Sequence, residues 1–446
     1  MRQILFGYRL DPTTWAYVSA LMMIGIYFKF RRFWSVRNLD LVALICLSPG
    51  LLLVYHGVLH QWPALMREWG MAVADDAQCR ALSMPLIRAG YVWLFAASAF
   101  FLVRLLLDAV MVRRPLLEPN LSAGGLTFTG AALLVFLMAN VITCPPQRLE
   151  YLLAKQEISP PSTPGYPWFD KFSDFSDEVM IHPVPADPEA RHAALIHAAA
   201  THTAAILAHL AVVAGMVWIG YRHFDNIHTG VAAATLYLLT FYTSQLTSYV
   251  DHVVPAALLV WAVAAYRLPL LSGILLGLAA GLIYYPLFLL PLWCGFYWRR
   301  GLVRFVCGVL LAMALLAASL ALTSPNLGAF LVQVKQMVGW CDPLRVELLF
   351  SGFWQYYDSS YRIPVLALFV AICGSMAIWP AQKNLGTLLS CSAAVMLATQ
   401  FWHAHQGGLC MAWYLPLLIL TIFRPNLEDR VALSAVRPGW GRRKKA

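Results

Sequence analysis

The sequence predicts an all-α fold, a polytopic transmembrane helical bundle of about 13 spans, and three observations predict it. Apolar runs of about 18–22 residues recur along the whole chain, each long enough to cross a hydrocarbon core of roughly 30 Å. Of the 446 residues, 60% are hydrophobic and only 12% charged, with a mean hydropathy of +0.65. Soluble domains carry about 25% charged residues, so a water-soluble fold is excluded. No segment alternates apolar and polar residues over about ten positions, which excludes a membrane β-barrel.

Spans are expected near 13–30, 39–59, 89–112, 123–143, 195–220, 229–247, 252–266, 270–283, 286–298, 303–323, 363–380, 384–401 and 408–423. Arg31, Arg32 and Arg37 follow the first span, Arg113 and Arg114 the third, and Arg299, Arg300 and Arg304 the return arm at 286–298. The tail ends Arg442-Arg443-Lys444-Lys445. Short basic loops mark the cytoplasmic side. That places the N-terminus outside and the C-terminus in the cytoplasm, which requires an odd number of crossings. The formal net charge of +10 therefore points to anionic headgroups of membrane lipids and not to nucleic acid. No cleavable signal peptide is visible, because the first apolar stretch lacks a small-residue cleavage site.

The stretch 270–298 fixes the count. Arg267 precedes it and Arg299-Arg300 follow it, so both ends belong on the basic side. Two short crossings joined at Tyr284-Tyr285-Pro286 satisfy this, whereas one kinked span does not. Each arm has about 14 residues, roughly 20 Å long, and needs neighbouring protein around its tip because bare backbone is costly in lipid. Pro286, lacking an N–H, suits the start of the second arm.

Four regions follow: a three-span extension (1–122), a core (123–323) with an outward loop at 144–194, an outward loop with three further spans (324–423), and a basic tail (424–446). The nine cysteines show no metal-ligand spacing. Cys46, Cys294, Cys307, Cys373 and Cys391 lie in spans as small apolar fillers. Cys79, Cys144, Cys341 and Cys410 fall in or near outward segments, where a disulfide is open to them.

The chemistry-bearing residues are expected at the outer face. Loop 144–194 carries Glu150, Asp170, Asp174 and Asp177, and carboxylates serve as general bases toward a hydroxyl. Loop 324–362 carries Arg345 and Arg362, which suit phosphate, with Trp354 and Tyr356 as stacking surfaces. The turn after 384–401 adds His403 and His405, and the short turn before 252–266 adds Asp251 and His252. Simpler readings stand beside these. The acidic loop is also a solvated surface, Asp251 is a good helix cap, and the aromatic residues also form an interface belt. His202 and His209 share a helix face and suit interhelical hydrogen bonds.

Several motifs in this region follow one another in a fixed order: Arg222-His223-Phe224, Asp251-His252, Pro255-Ala256-Ala257-Leu258-Leu259, Tyr266-Arg267-Leu268, Ser272-Gly273-Ile274-Leu275-Leu276-Gly277-Leu278-Ala279-Ala280 and Pro286-Leu287-Phe288-Leu289-Leu290-Pro291-Leu292. The segment from His197 to Trp298 thereby resembles the core of the GT-C superfamily of membrane glycosyltransferases. Within it, the polyprenol-phosphate-mannose mannosyltransferase type is most similar, and Trp413-Tyr414-Leu415-Pro416 resembles that family's closing helix. The likeness covers about a quarter of the chain well and residues 123–423 loosely. Two positions depart from the family pattern: the first acidic residue after 123–143 is Glu150, and Ile283-Tyr284-Tyr285 stands where relatives often carry a tip lysine.

The resemblance implies transfer of a sugar from a polyprenyl-phosphate donor to a lipid, glycan or protein acceptor on the outer face of a bacterial inner membrane. Asp170, Asp174 or Asp177 would be the catalytic base, with Glu150 as the fallback. Asp251, with His252, would orient the acceptor or hold a divalent cation, Mg or Mn. Arg345 and Arg362 would bind the donor phosphate, with Trp354, Tyr356, His403 and His405 around the substrate. The rival readings are a transporter or lipid flippase, which calls for ionisable residues at the midplane, and a non-catalytic scaffold.

Overall fold

The computed structural model describes residues 11–71, 73, 75–111, 117–143, 148–155, 165–167, 169, 188–298, 300–339, 352–381, 383–403 and 405–425. Among them every regular element is helical, and the single β-bridge joins Gly352 to Gly407. In chain order the helices are α1 (Pro12–Tyr27), α2 (Val36–Ile45), α3 (Leu47–Leu59), α4 (Pro63–Glu68), α5 (Asp76–Asp108), α6 (Ala123–Thr143), α7 (Leu149–Lys155), α8 (Pro188–His223) and α9 (Ile227–Leu239). They continue as α10 (Phe241–Gln245), α11 (Val250–Ala264), α12 (Pro269–Ile283), α13 (Leu290–Tyr297), α14 (Leu302–Thr323), α15 (Leu327–Met337), α16 (Arg362–Ser375), α17 (Leu385–Ala398) and α18 (Leu415–Phe423).

Among the described residues five helical stretches are long and apolar enough to cross a membrane: Val36–Leu59 (α2 running into α3), Asp76–Asp108, Ala123–Thr143, His192–His223 and Leu302–Thr323. These stretches leave wide apolar faces uncovered, with Leu322 88%, Phe128 76% and Val303 74% exposed. In water such surfaces would drive aggregation; against acyl chains they cost nothing. By contrast every residue of α17 is buried, which makes it the central helix of the bundle.

The stretch 270–298 folds as a helical hairpin. α12 ends at Tyr284, which adopts a φ of 23°. A 3₁₀ turn over Tyr285–Leu289 carries Pro286, and α13 returns. The Tyr297 hydroxyl donates to the Tyr266 carbonyl at 2.6 Å, so the second arm ends level with the start of the first. Protein does cover the tip, since the Tyr166 N–H donates to the Leu282 carbonyl at 3.1 Å. Gly273 and Gly277 let α12 lie directly on α14. A Cβ on Gly277 would meet the Val309 carbonyl at 2.8 Å, and one on Gly273 would collide with the Phe305 carbonyl. Small residues at such seams allow the backbone approach on which membrane helix packing depends.

Contacts sort the helix ends into two faces. One gathers the end of α1, the start of α2, the end of α5 and the end of α18, and it carries Lys29, Arg31, Arg32, Arg37 and Arg424. Here the structure differs from the sequence reading of Arg37 as part of an exposed loop cluster. Arg37 is buried, with Asn38, Asp40, Arg104, Asp108 and Arg424. Arg104 grips Asp40 through both nitrogens of its fork, at 2.8 and 2.9 Å, and reaches Asp108 at 2.9 Å. Arg424 holds the second Asp108 oxygen at 2.8 Å, and Arg37 donates to the Arg424 carbonyl at 3.0 Å. The network ties α2, α5 and the end of α18 together across a sequence separation of 387 residues. Paired and hydrogen-bonded charges are what a low-dielectric interior tolerates.

Candidate functional site

The opposite face of the bundle is polar and is assembled from four short segments. The first is Arg148-Leu149-Glu150 at the start of α7. Glu150 is 1% exposed. Its Oε2 accepts the Ser248 N–H at 3.3 Å and lies 3.9 Å from Arg148 Nη1. Arg148 also donates to Thr247 Oγ1 at 2.6 Å, and the Leu149 N–H donates to Gln245 Oε1 at 3.3 Å. Glu150 Oε1 has no hydrogen-bond partner among the described residues. Burial pushes the Glu150 carboxyl above the ordinary carboxylate range. Arg148 and the Ser248 N–H act against that rise, and the nearby Asp251 adds to it.

The second segment is the start of α11. Asp251 sits in its first turn, where a carboxylate is favoured by the helix dipole, but its side chain makes no cap to the helix. That sets aside the simplest structural reading of Asp251. Its side chain is 34% exposed, Oδ2 lies 3.7 Å from His252 Nε2, and Oδ1 has no partner among the described residues. His252 is fixed on its other side by the Tyr242 hydroxyl, 3.0 Å from Nδ1. Its ring stacks on Tyr249 at 5.1 Å.

The third and fourth segments are the turn 402–410 and the hairpin tip. Gln400 knits the turn. Its Oε1 accepts the N–H groups of Gly408 and Cys410, at 3.0 and 3.2 Å, and its amide donates to the Cys410 carbonyl at 3.3 Å. The turn presents His403 against Tyr285 of the hairpin tip, stacked at 4.9 Å, and Tyr285 stacks in turn on Trp413 at 5.1 Å. The Trp413 indole donates to the Asp251 carbonyl at 3.3 Å, which closes the circle back to α11. Burial, with His405, His252 and Arg362 nearby, pushes His403 well below the ordinary histidine range. His405 is pushed down to about 4 by burial and by Arg362. His405 Nδ1 has no partner among the described residues. Of the three non-glycine residues with positive φ among the described residues, two lie here, Tyr284 at 23° and Gln406 at 47°. Strained backbone collects where a fold holds a functional surface in place.

The sequence-predicted residues thus divide into three groups. Glu150, Asp251, His252, His403 and His405 come together at one face. Arg362 supports them, since its Nε and Nη2 donate to the Trp402 carbonyl at 3.2 and 2.9 Å, which anchors the turn that carries both histidines. Trp354 and Tyr356 belong to a neighbouring layer. The Trp354 indole donates to the Phe401 carbonyl at 3.0 Å, the Tyr356 hydroxyl lies 3.9 Å from Met84 Sδ on α5, and the adjoining Phe353 stacks on Phe95 at 4.0 Å. Gly352, at a φ of 79°, allows the segment to turn against Gly407. The predicted base candidates Asp170, Asp174 and Asp177, and the predicted phosphate ligand Arg345, lie outside the described residues, as do Cys144 and Cys341. Cys79 and Cys410 are free thiols. Among the described residues no three His, Cys, Asp or Glu side chains stand where they could share a metal ion.

Sequence reasoning missed Arg148, Tyr242, Gln245, Thr247 and Gln400, which orient the carboxylates and the histidine turn. The Arg148-x-Glu150 pair directly after a span was a legible signal; the others are ordinary polar residues at helix ends. His209 behaves as its helix face suggested, with Nε2 on the Thr247 carbonyl at 3.0 Å and Nδ1 on the Tyr237 hydroxyl at 3.2 Å.

The sequence matches no family model, and no curated protein and no solved structure matches the chain.

Proposed function

We propose that the chain is an integral-membrane transferase of the GT-C kind, moving a sugar from a polyprenyl-phosphate donor to an acceptor hydroxyl at the face that carries Asp251. The observation that carries the reading is the convergence of two carboxylates with unpartnered oxygens, Glu150 and Asp251, beside a stacked wall of Tyr249, His252, Tyr285, His403 and Trp413. Aromatic faces suit sugar rings, and the Asp251 side chain, 34% exposed, can be reached by a hydroxyl. In this reading the chain crosses the membrane 13 times, with the basic end in the cytoplasm of a bacterial cell.

Asp251, the more accessible carboxylate, would accept the acceptor's proton through Oδ2, the oxygen that carries its exposure and lies 3.7 Å from His252 Nε2, while Oδ1 is buried. Glu150 stands behind it and sets the local charge with Arg148. A phosphate leaving group needs no proton at neutral pH, so one base and cationic contacts to the phosphate suffice. Arg362 spends two donors on the Trp402 carbonyl and acts by holding the histidine turn. Arg345 remains the phosphate candidate.

A transporter would use ionisable groups near the membrane midplane. Among the described residues the buried ions Asp40, Arg104, Asp108 and Arg424 instead pair with one another at the end of α5 and the start of α2.

The test is transfer activity of the full chain purified in detergent, supplied with polyprenyl-phosphate sugars and a panel of hydroxyl acceptors. Asp251→Asn should lower turnover by about 100-fold or more, the range for loss of a general base, with Tm unchanged. Wild-type protein that folds but neither binds nor turns over any polyprenyl-phosphate sugar sinks the reading.

A further inference from the structure

The turn that joins α1 to α2 carries Phe28-Lys29-Phe30-Arg31-Arg32-Phe33-Trp34. A turn so rich in apolar residues should collapse inward, but it is held open from beneath. Asn38, 1% exposed, spends its whole amide on it. Its Nδ2 donates to the carbonyls of Lys29, Arg32 and Phe33 at 2.9, 3.0 and 3.3 Å, and its Oδ1 accepts the Lys29 N–H at 3.1 Å. Asn120 braces the other side, donating to the carbonyls of Gly25 and Phe28 at 3.0 and 3.1 Å and accepting from Lys29 Nζ at 2.9 Å. Ser35 caps α2 by accepting the Asn38 N–H. Two asparagines therefore give the turn one shape.

That shape presents Phe30, Phe33 and Trp34 outward, at 73%, 56% and 81% exposure. Arg31 and Arg32 are exposed beside them, with no acidic partner among the described residues. The rings of Phe28, Phe30, Phe33 and Trp34 brace one another edge to face at 5.0–5.4 Å. Exposed aromatic rings sit favourably at the level of lipid headgroups, and unpaired arginines between them call for anions. A random basic loop would have neither the rings nor the internal bracing.

We propose that this turn is a preformed docking surface for anionic phospholipid headgroups of the leaflet at the basic end, with the rings in the interface and Arg31 and Arg32 on the phosphates. Each basic residue near such a surface contributes about 1 kcal/mol at physiological salt. The pair is therefore worth about thirtyfold in lipid retention, since 1.36 kcal/mol is tenfold. The inference is independent of any transfer activity.

The full chain in neutral detergent is titrated with phosphatidylglycerol and, separately, with phosphatidylcholine, with retained lipid counted by native mass spectrometry. Phosphatidylglycerol should be retained preferentially by wild type. The preference should fall about thirtyfold in the Arg31→Gln/Arg32→Gln double variant, whose side chains are exposed and leave folding intact. It should also weaken in Phe33→Ser/Trp34→Ser and with added salt. Equal retention of the two lipids by wild type, or an unchanged preference in the arginine variant, overturns the proposal. Capture of an acidic soluble protein in place of lipid would also overturn it.

Discussion

At the basic end of the bundle Asp40, Arg104, Asp108 and Arg424 satisfy one another through five contacts of 2.8–3.3 Å. At the opposite end Glu150 Oε1, Asp251 Oδ1 and His405 Nδ1 have no partner among the described residues. Both ends bury ionisable groups among apolar helices, which carries a desolvation cost. The first end offsets that cost internally and joins distant helices in doing so. The second leaves it outstanding and surrounds the open atoms with stacked rings. Paired buried charge reads as architecture, and unpartnered polar atoms beside an aromatic wall read as a site for a ligand. Arg37 is the exception at the basic end, since its Nε and Nη1 have no partner among the described residues.

The comparison breaks most visibly at Arg104. Arg104→Leu strands Asp40 in apolar surroundings, leaves Asp108 with Arg424 alone, and should cost about 3–5 kcal/mol, read as lost yield and a lowered Tm in detergent. Adding Asp40→Asn to that variant should recover part of the loss. A Tm equal to wild type in Arg104→Leu would mean that the network is not structural.

A smaller effect sharpens the other end. His405 is held neutral down to about pH 4 in the fold, against about 6.5 in an unfolded chain. As pH falls below 6.5 the unfolded chain takes up the proton first. The His405 contribution is thus whole above pH 6.5 and is lost as pH drops toward 4, by roughly 3 kcal/mol in all. The difference in Tm between wild type and His405→Gln, followed from pH 7 to pH 4, should change in that window. Parallel Tm profiles would show that the histidine is solvated.

The smallest effect is Trp413→Phe, which keeps the ring but removes the indole donor to the Asp251 carbonyl. One neutral hydrogen bond is worth about 1 kcal/mol, so unfolding should shift only slightly. If Asp251 needs that bond to keep its position, turnover in the transfer assay should fall several-fold more than stability does. Equal small losses in both would reduce Trp413 to a packing residue.

Much of this was legible in the sequence, unevenly. Apolar length gave helices in each expected region, and the arginines flanking 270–298 gave the short hairpin before its turn at Tyr284 was seen. Asp251, His252, His403 and His405 stood out because ionisable residues in short turns between apolar helices are conspicuous. The support around them was not legible. Gln400, Thr247 and Tyr242 are common polar residues whose partners are chosen by packing. Trp354 and Tyr356 look like ligand platforms in sequence, but Trp354 bonds to the Phe401 carbonyl and Tyr356 reaches Met84 of α5, because an aromatic side chain after a span fits a protein neighbour as readily as a sugar.

The sequence by itself determined the solvent, the helical class and which residues sit near the helix ends. Those follow from local composition, since backbone groups in hydrocarbon must be satisfied within each segment. Only the tertiary structure decided that Arg37, Asp40, Arg104, Asp108 and Arg424 form one buried network. Only it decided that Glu150 meets Ser248, in the turn that carries Asp251, across 98 residues of chain. Both depend on which helix faces meet, and between apolar helices that choice is made by shape and by a few polar contacts with no local signature.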